Sequence, residues 1–99
     1  MIDLEPRHLE LVISLLRERI PAGYEVRAYG SRVTGKAQRF SDLDLAVAGP
    51  NPLDCKTLES LRDAFSESDL PILVDIRDWA TASPGFREVV GNRYEVIQL

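Results

Sequence analysis

Gly30-Ser31-Arg32-Val33-Thr34-Gly35-Lys36-Ala37-Gln38-Arg39-Phe40-Ser41-Asp42-Leu43-Asp44-Leu45-Ala46-Val47-Ala48 is the stretch on which the reading of this chain turns. Its second half alternates. Leu43, Leu45 and Val47 fall on one face of an extended strand, and Asp42, Asp44 and Ala46 on the other, because successive strand side chains point to opposite sides. The spacing predicts a strand over 42–48, ended by Gly49-Pro50-Asn51-Pro52. Carboxylates two residues apart on one face stand roughly seven ångströms apart along the strand and can converge on one ion. Mg²⁺ takes a few carboxylate oxygens and completes its shell with water and substrate phosphates, so an acid pair held on an anchored strand suits it.

Working upstream, Glu25 to Tyr29 alternates as a strand that Gly30-Ser31 breaks. Ser31 is placed to cap a short helical turn that Gly35 ends. Free backbone N–H groups at such a turn point toward an anion, and Gly30 lets the backbone approach closely. Arg32, Lys36 and Arg39 form a basic patch beside the acids in an otherwise acidic chain. Pro6 to Ile20 reads as a helix with Leu9, Val12, Ile13 and Leu16 at helical spacing, stopped by Pro21-Ala22-Gly23.

Downstream, Asp54 to Ser66 reads as a second long helix, with Asp54 as its cap. Ile72 to Asp78 reads as a strand. Val74 and Ile76 face the core, so Asp75 projects to the other side. A short helix from Ser83-Pro84 and a last strand within 94–99 follow. The stretch 30–41 is too short and polar to be a covering crossover helix. The expectation is an α+β fold, a small mixed β-sheet with helices mainly on one face and the acids on the other. If the 72–78 strand lies beside the 42–48 strand, Asp42, Asp44 and Asp75 share one surface. Three carboxylates there raise one another's pKa until a divalent ion relieves the conflict, and two ions can serve an in-line displacement at phosphorus.

Composition bounds the rest. The chain has 99 residues, read as one domain over 1–99, and it is 44% hydrophobic and 28% charged, enough for a packed core. Its net charge of -4 disfavours general nucleic-acid binding. Cys55 is the single cysteine, so no internal disulfide forms. The opening residues MIDLEPRHLE carry no signal-peptide pattern, and the longest apolar run is far too short to cross a bilayer. The expected setting is cytoplasmic, with no membrane partner. No zinc pattern, Walker loop, serine triad or dinucleotide fingerprint is present. Trp79, Phe40, Tyr24 and Tyr29 read as packing residues. Asp75 also reads as a plain ion partner for Arg77, which shares its face.

Gly30-Ser31, a spacer of ten residues, then Asp42-Leu43-Asp44 resembles the signature of the DNA polymerase beta-like nucleotidyltransferase superfamily, and Val74-Asp75-Ile76 matches its third acid. Within that superfamily the short length and the Gly-Ser-Arg-x-x-Gly opening are most similar to the minimal nucleotidyltransferases, commonly antitoxins paired with HEPN-domain ribonuclease toxins. The resemblance implies the polymerase beta-like fold, ATP as donor and two Mg²⁺ ions on Asp42, Asp44 and Asp75. It implies that Gly30 and Ser31 hold the β- and γ-phosphates, with Arg32 and Lys36 in support, and that Asp75 acts as base toward the acceptor. It implies transfer of AMP to a tyrosine of a cognate HEPN toxin, with which the chain forms a hetero-oligomer. This sequence departs from many relatives at Val33-Thr34, where they carry Ala-Arg. That departure keeps a second reading open, an idle antitoxin that neutralises by contact. A third, transfer to a small molecule or an RNA end, normally calls for an added domain.

Overall fold

The computed structural model describes residues 2–99. Its centre is a four-stranded sheet of order β3-β2-β1-β4, built from β1 (Glu25–Tyr29), β2 (Leu43–Ala48), β3 (Val74–Asp78) and β4 (Glu95–Ile97). β1 runs antiparallel to both β2 and β4, while β2 and β3 are parallel. The sheet is mixed for a topological reason. A parallel pair needs a long crossover, and α3 (Cys55–Ser66) supplies it between β2 and β3. The 30–42 stretch holds only the four-residue α2 (Ser31–Thr34), so β1 and β2 meet antiparallel.

α1 (Pro6–Arg19) begins with a proline in its first turn, where the missing N–H would have had no partner. It ends where Ile20 turns extended ahead of Pro21. Val12 and Leu16 of α1 and Leu61 and Phe65 of α3 are buried against Val26, Ala28, Leu43, Leu45, Val47 and Ile76 of the sheet. Fully burying each large side chain of this set contributes about 1.5–3 kcal/mol. This core fixes strand register, because a slip of one residue would turn Leu43, Leu45 and Val47 to solvent. Asp54 occupies the position before α3 but makes no side-chain cap. The buried Asp78 instead ties the β2–α3 loop to the end of β3, accepting from the Leu53 N–H at 2.9 Å and the Ala80 N–H at 3.2 Å.

The two long helices lie on one face of the sheet. The segment after β3 crosses to the other. Trp79 opens a 3₁₀ turn (Trp79–Thr81), and α4 (Pro84–Asn92) follows, with the Ser83 hydroxyl accepting from the Phe86 N–H. Phe86 packs edge-on against Tyr29, and Arg27 stacks on Trp79 and Tyr94. Tyr29 and Arg27 share the parity of Glu25 on β1, opposite to the buried Val26 and Ala28. The acidic face is thus half roofed, and Ala46 beneath it is fully buried. No helix among the described residues is long and apolar enough to cross a membrane.

Candidate active site

The open half of that face carries the acids. Asp44 of β2 is the register partner of Tyr29 on one side and of Asp75 on the other. Tyr29, Asp44 and Asp75 therefore form one row across three strands, with neighbouring strands about 4.8 Å apart. Asp42 lies just ahead of β2 and is exposed, while Asp44 and Asp75 are half-buried. The Asp44 carboxyl is held above the usual carboxylate range, first by burial and then by the charges of Asp75 and Asp42, with Arg77 opposing. The Tyr29 phenol is pushed up to about 12, by burial and then by Asp44 and Asp75. It is therefore neutral and able to donate at any ordinary pH.

Glycine at position 30 is a steric requirement. Its φ of 81° and ψ of -158° lie where side chains other than hydrogen are strained, and a Cβ there would collide with Oδ2 of Asp44. Gly30, rather than Ser31, holds the position before α2, and Ser31 is its first residue with no side-chain cap. The Val33 and Thr34 amides both donate to the Gly30 carbonyl at 3.0 Å. The Ser31 and Arg32 amides precede those first intrahelical bonds, as at any helix start. Gly35 closes the turn in the left-handed conformation. The start of the turn thus stands directly against the Asp44 carboxylate.

The basic patch divides. Lys36 and Arg39 are exposed, but Arg32 is buried and turned inward, which corrects its expected place among the phosphate-facing cations. Its guanidinium donates to the carbonyls of Asp3 at 2.7 Å, Ser41 at 3.0 Å, Arg39 at 3.1 Å and Gln38 at 3.5 Å. Arg32 is the clamp that shapes the loop leading into Asp42. Phe40, expected to pack, is 67% exposed on that loop, with the Arg39 guanidinium 5.2 Å from its ring centroid. Arg77, on the face of Asp75, donates from Nε to Asp75 Oδ2 at 3.2 Å and lies 5.1 Å over the Phe86 ring.

In these rotamers the three carboxylates do not close on a common point, and no cluster of three or more acidic, histidine or cysteine side chains is gathered for a metal among the described residues. Asp75 is held back by Arg77. The donor set nevertheless fits a hard divalent cation: carboxylate oxygens only, adjacent in register, and mutually repelling until a cation neutralises them. Tyr29, Arg77 and Phe86 are site residues that the sequence reading left aside as acceptor or nucleotide contacts. Strand parity places Tyr29 and Arg77 with the acids, whereas the position of Phe86 depends on a chain reversal that no local pattern announces.

Residues 22–98 match the family described as polymerase beta, nucleotidyltransferase. The chain belongs to that nucleotidyltransferase family, and its four strands, the Gly30 turn and the three acids all lie within the matched residues. It is 48% identical over 97 residues to the "Probable protein adenylyltransferase MntA" of Haemophilus influenzae, covering 98% of this chain and 84% of that one. A crystal structure of a toxin–antitoxin with AMP-PNP superposes with a TM-score of 0.76 at 29% identity, covering 91% of this chain and 72% of that one. A mutant of the toxin–antitoxin MntA-HpeT superposes with a TM-score of 0.75 at 27% identity over the same shares. Within the family the similarity is thus to protein adenylyltransferases of the MntA type.

Proposed function

We propose that residues 1–99 act as one catalytic domain that moves AMP from ATP to a tyrosine hydroxyl of a cognate HEPN ribonuclease toxin, and so serve as its antitoxin. The observation that carries this reading is the in-register pairing of Asp44 with Asp75 beside the Gly30 turn. ATP lies with its β- and γ-phosphates on the Gly30–Ser31 turn, and Lys36 offers a cation at its rim. Asp42 and Asp44, with Asp75, would hold two Mg²⁺ ions, which when bound supply charge neutralisation of the phosphates and of the departing pyrophosphate.

Asp75 takes the proton of the acceptor hydroxyl. The acceptor oxygen attacks the α-phosphorus, the bond from that phosphorus to the bridging oxygen breaks, and pyrophosphate leaves with the electron pair. Before substrate binds, Arg77 occupies Asp75. Asp75 must be released from that bond before it can take the proton, which leaves the Arg77 guanidinium free beside it. The roof of Trp79 and α4 limits water on one side of the reacting atoms. The cytoplasm, where ATP is abundant, is the setting this reading requires.

The test is incubation with ATP labelled at the α-phosphate, Mg²⁺ and the purified HEPN protein encoded beside this one. Label on that protein, lost with Asp42→Asn or Asp44→Asn, supports the reading. Neutralisation of the toxin that survives both changes would instead favour protection by contact alone.

A further inference from the structure

One row behind the acids, the register reads Arg27–Ala46–Arg77 across β1, β2 and β3. Ala46 is fully buried, and its small side chain leaves the space above it to the two arginines. Both meet the roof through aromatic rings. Arg77 lies 5.1 Å over Phe86 of α4. Arg27 lies between two rings, 4.9 Å from the centre of Trp79 and 4.8 Å from that of Tyr94. Trp79 begins the segment that crosses to the acid face, and Tyr94 ends it next to β4. A single side chain of β1 therefore pins both ends of the roof. Arg87 fixes the first end further, donating to the carbonyls of Trp79 at 3.1 Å and Ala80 at 3.0 Å.

The two arginines of the row differ in their anions. Arg27 donates from Nε to Glu25 Oε2 at 2.7 Å, on its own strand and away from the acids. Arg77 donates to Asp75, the acid that the proposed function requires to be free. Arg77 thus loses its anion during turnover, whereas Arg27 keeps Glu25. The Arg27 side chain is also 22% exposed against 57% for Arg77, and a cation on an aromatic face is held more firmly where water is scarce.

We propose that Arg27 is a positioning residue for nucleotidyl transfer: it holds Trp79 and Tyr94, and with them the roof, on the acid face while Arg77 changes partner, and so keeps water from the α-phosphorus. The inference rests on the nucleotidyl-transfer reading given above. The reaction it suppresses is transfer to water. There a water oxygen attacks the α-phosphorus, its proton passes to Asp75, the bond to the bridging oxygen breaks, and pyrophosphate leaves with the electron pair, giving free AMP. Only a closed site excludes so small and concentrated a nucleophile.

Arg27→Met keeps the length and the apolar stem and removes the cation, while Arg27→Lys keeps a cation without the planar guanidinium. Trp79 is the single tryptophan, so its fluorescence reports on the roof in the substrate-free protein. Three quantities are measured: acrylamide quenching of that emission, AMP-PNP affinity with Mg²⁺, and the ratio of free AMP to labelled protein with α-labelled ATP and the adjacent-gene HEPN protein. The ratio does not depend on how much enzyme is folded, so a merely destabilised variant leaves it unchanged. For Arg27→Met the ratio should rise about tenfold, Trp79 should become more open to the quencher, and AMP-PNP affinity should stay within about twofold of the wild type. Arg27→Lys should lie between the two. Trp79→Leu, which takes one ring from Arg27, should raise the ratio as well, and it decides the matter if Arg27→Met does not fold. An unchanged ratio in these variants overturns the proposal. So does wild-type quenching of Trp79 in Arg27→Met, or a raised ratio matched by an equal loss of AMP-PNP affinity, which would put the fault at the phosphates. Absence of label on the protein with the wild type overturns the proposed function, and this inference with it, whereas a failure of the inference alone shows only in the variants.

Discussion

Removing the Arg32 guanidinium should unfold the loop ahead of the acids and lower stability more than any other single cation change. In the folded chain it donates to four carbonyls, three of them at 2.7–3.1 Å and one at 3.5 Å. The longest counts for little. Each of the other three is a bond to a charged donor, and truncation strands carbonyls that then need water. Water can reach part of this surface loop, so the net loss in Arg32→Ala is about 3 kcal/mol rather than the simple sum. For a domain of this size, 1 kcal/mol moves Tm by roughly 4–8 °C, so the expected fall is roughly 12–24 °C. Thermal melts followed by far-UV circular dichroism measure it. Arg32→Lys should recover only part, since an ammonium cannot fork across several carbonyls. A Tm unchanged in Arg32→Ala, together with a selective loss of ATP affinity, would refute the clamp and return Arg32 to the phosphates.

Gly30→Ala should both strain the backbone and push Asp44 aside, so that Tm falls and nucleotide affinity falls with it; a variant that binds AMP-PNP normally would contradict the close approach. Asp44 has a raised folded-state pKa, so its ionisation opposes folding: the penalty is absent below the unfolded carboxylate range, about pH 3.9, and grows as pH rises through the folded value. Asp44→Asn in metal-free buffer should therefore melt higher than the wild type at neutral pH, and the gain should vanish at acid pH; a lower Tm at neutral pH would refute this. Tyr29, with a folded pKa of about 12 against 10.0, should cost the wild type stability as pH rises from 10 to 12. Tyr29→Phe should lose that slope, and parallel stability curves for the two proteins over this window would contradict it.

Much of the fold was legible because burial imposes simple periods. The alternation from Asp42 to Ala48 separates a core face from an acid face by parity alone, and the polar shortness of 30–41 against the long 54–66 helix distinguishes an antiparallel join from a parallel one. Parity likewise set Asp75 on the acid side. Its neighbour in register is a tertiary matter, decided when α3 returns the chain along β2. Arg32 was misplaced for a general reason. A cation's direction depends on the carbonyls around it, and nothing in Arg32, Lys36 and Arg39 as letters shows that one serves the loop and two face water. Phe40 illustrates the converse, an aromatic whose exposure follows from the clamped loop and not from its chemistry. The roof of Trp79 and α4 on the acid face escaped for a similar reason. Its helix is short, and the crossing to the other face depends on Asp78 and on Phe86 meeting Tyr29.

The central claim, that Asp42, Asp44 and Asp75 form one site for a metal-bound nucleotide, is most directly tested by Mn²⁺ titration with AMP-PNP followed by electron paramagnetic resonance. Wild-type protein should bind Mn²⁺ in a nucleotide-dependent manner, Asp42→Asn and Asp44→Asn should lose that binding, and Asp75→Asn should keep the nucleotide while failing to transfer AMP. Equal Mn²⁺ and nucleotide binding in wild type, Asp42→Asn and Asp44→Asn would contradict the account.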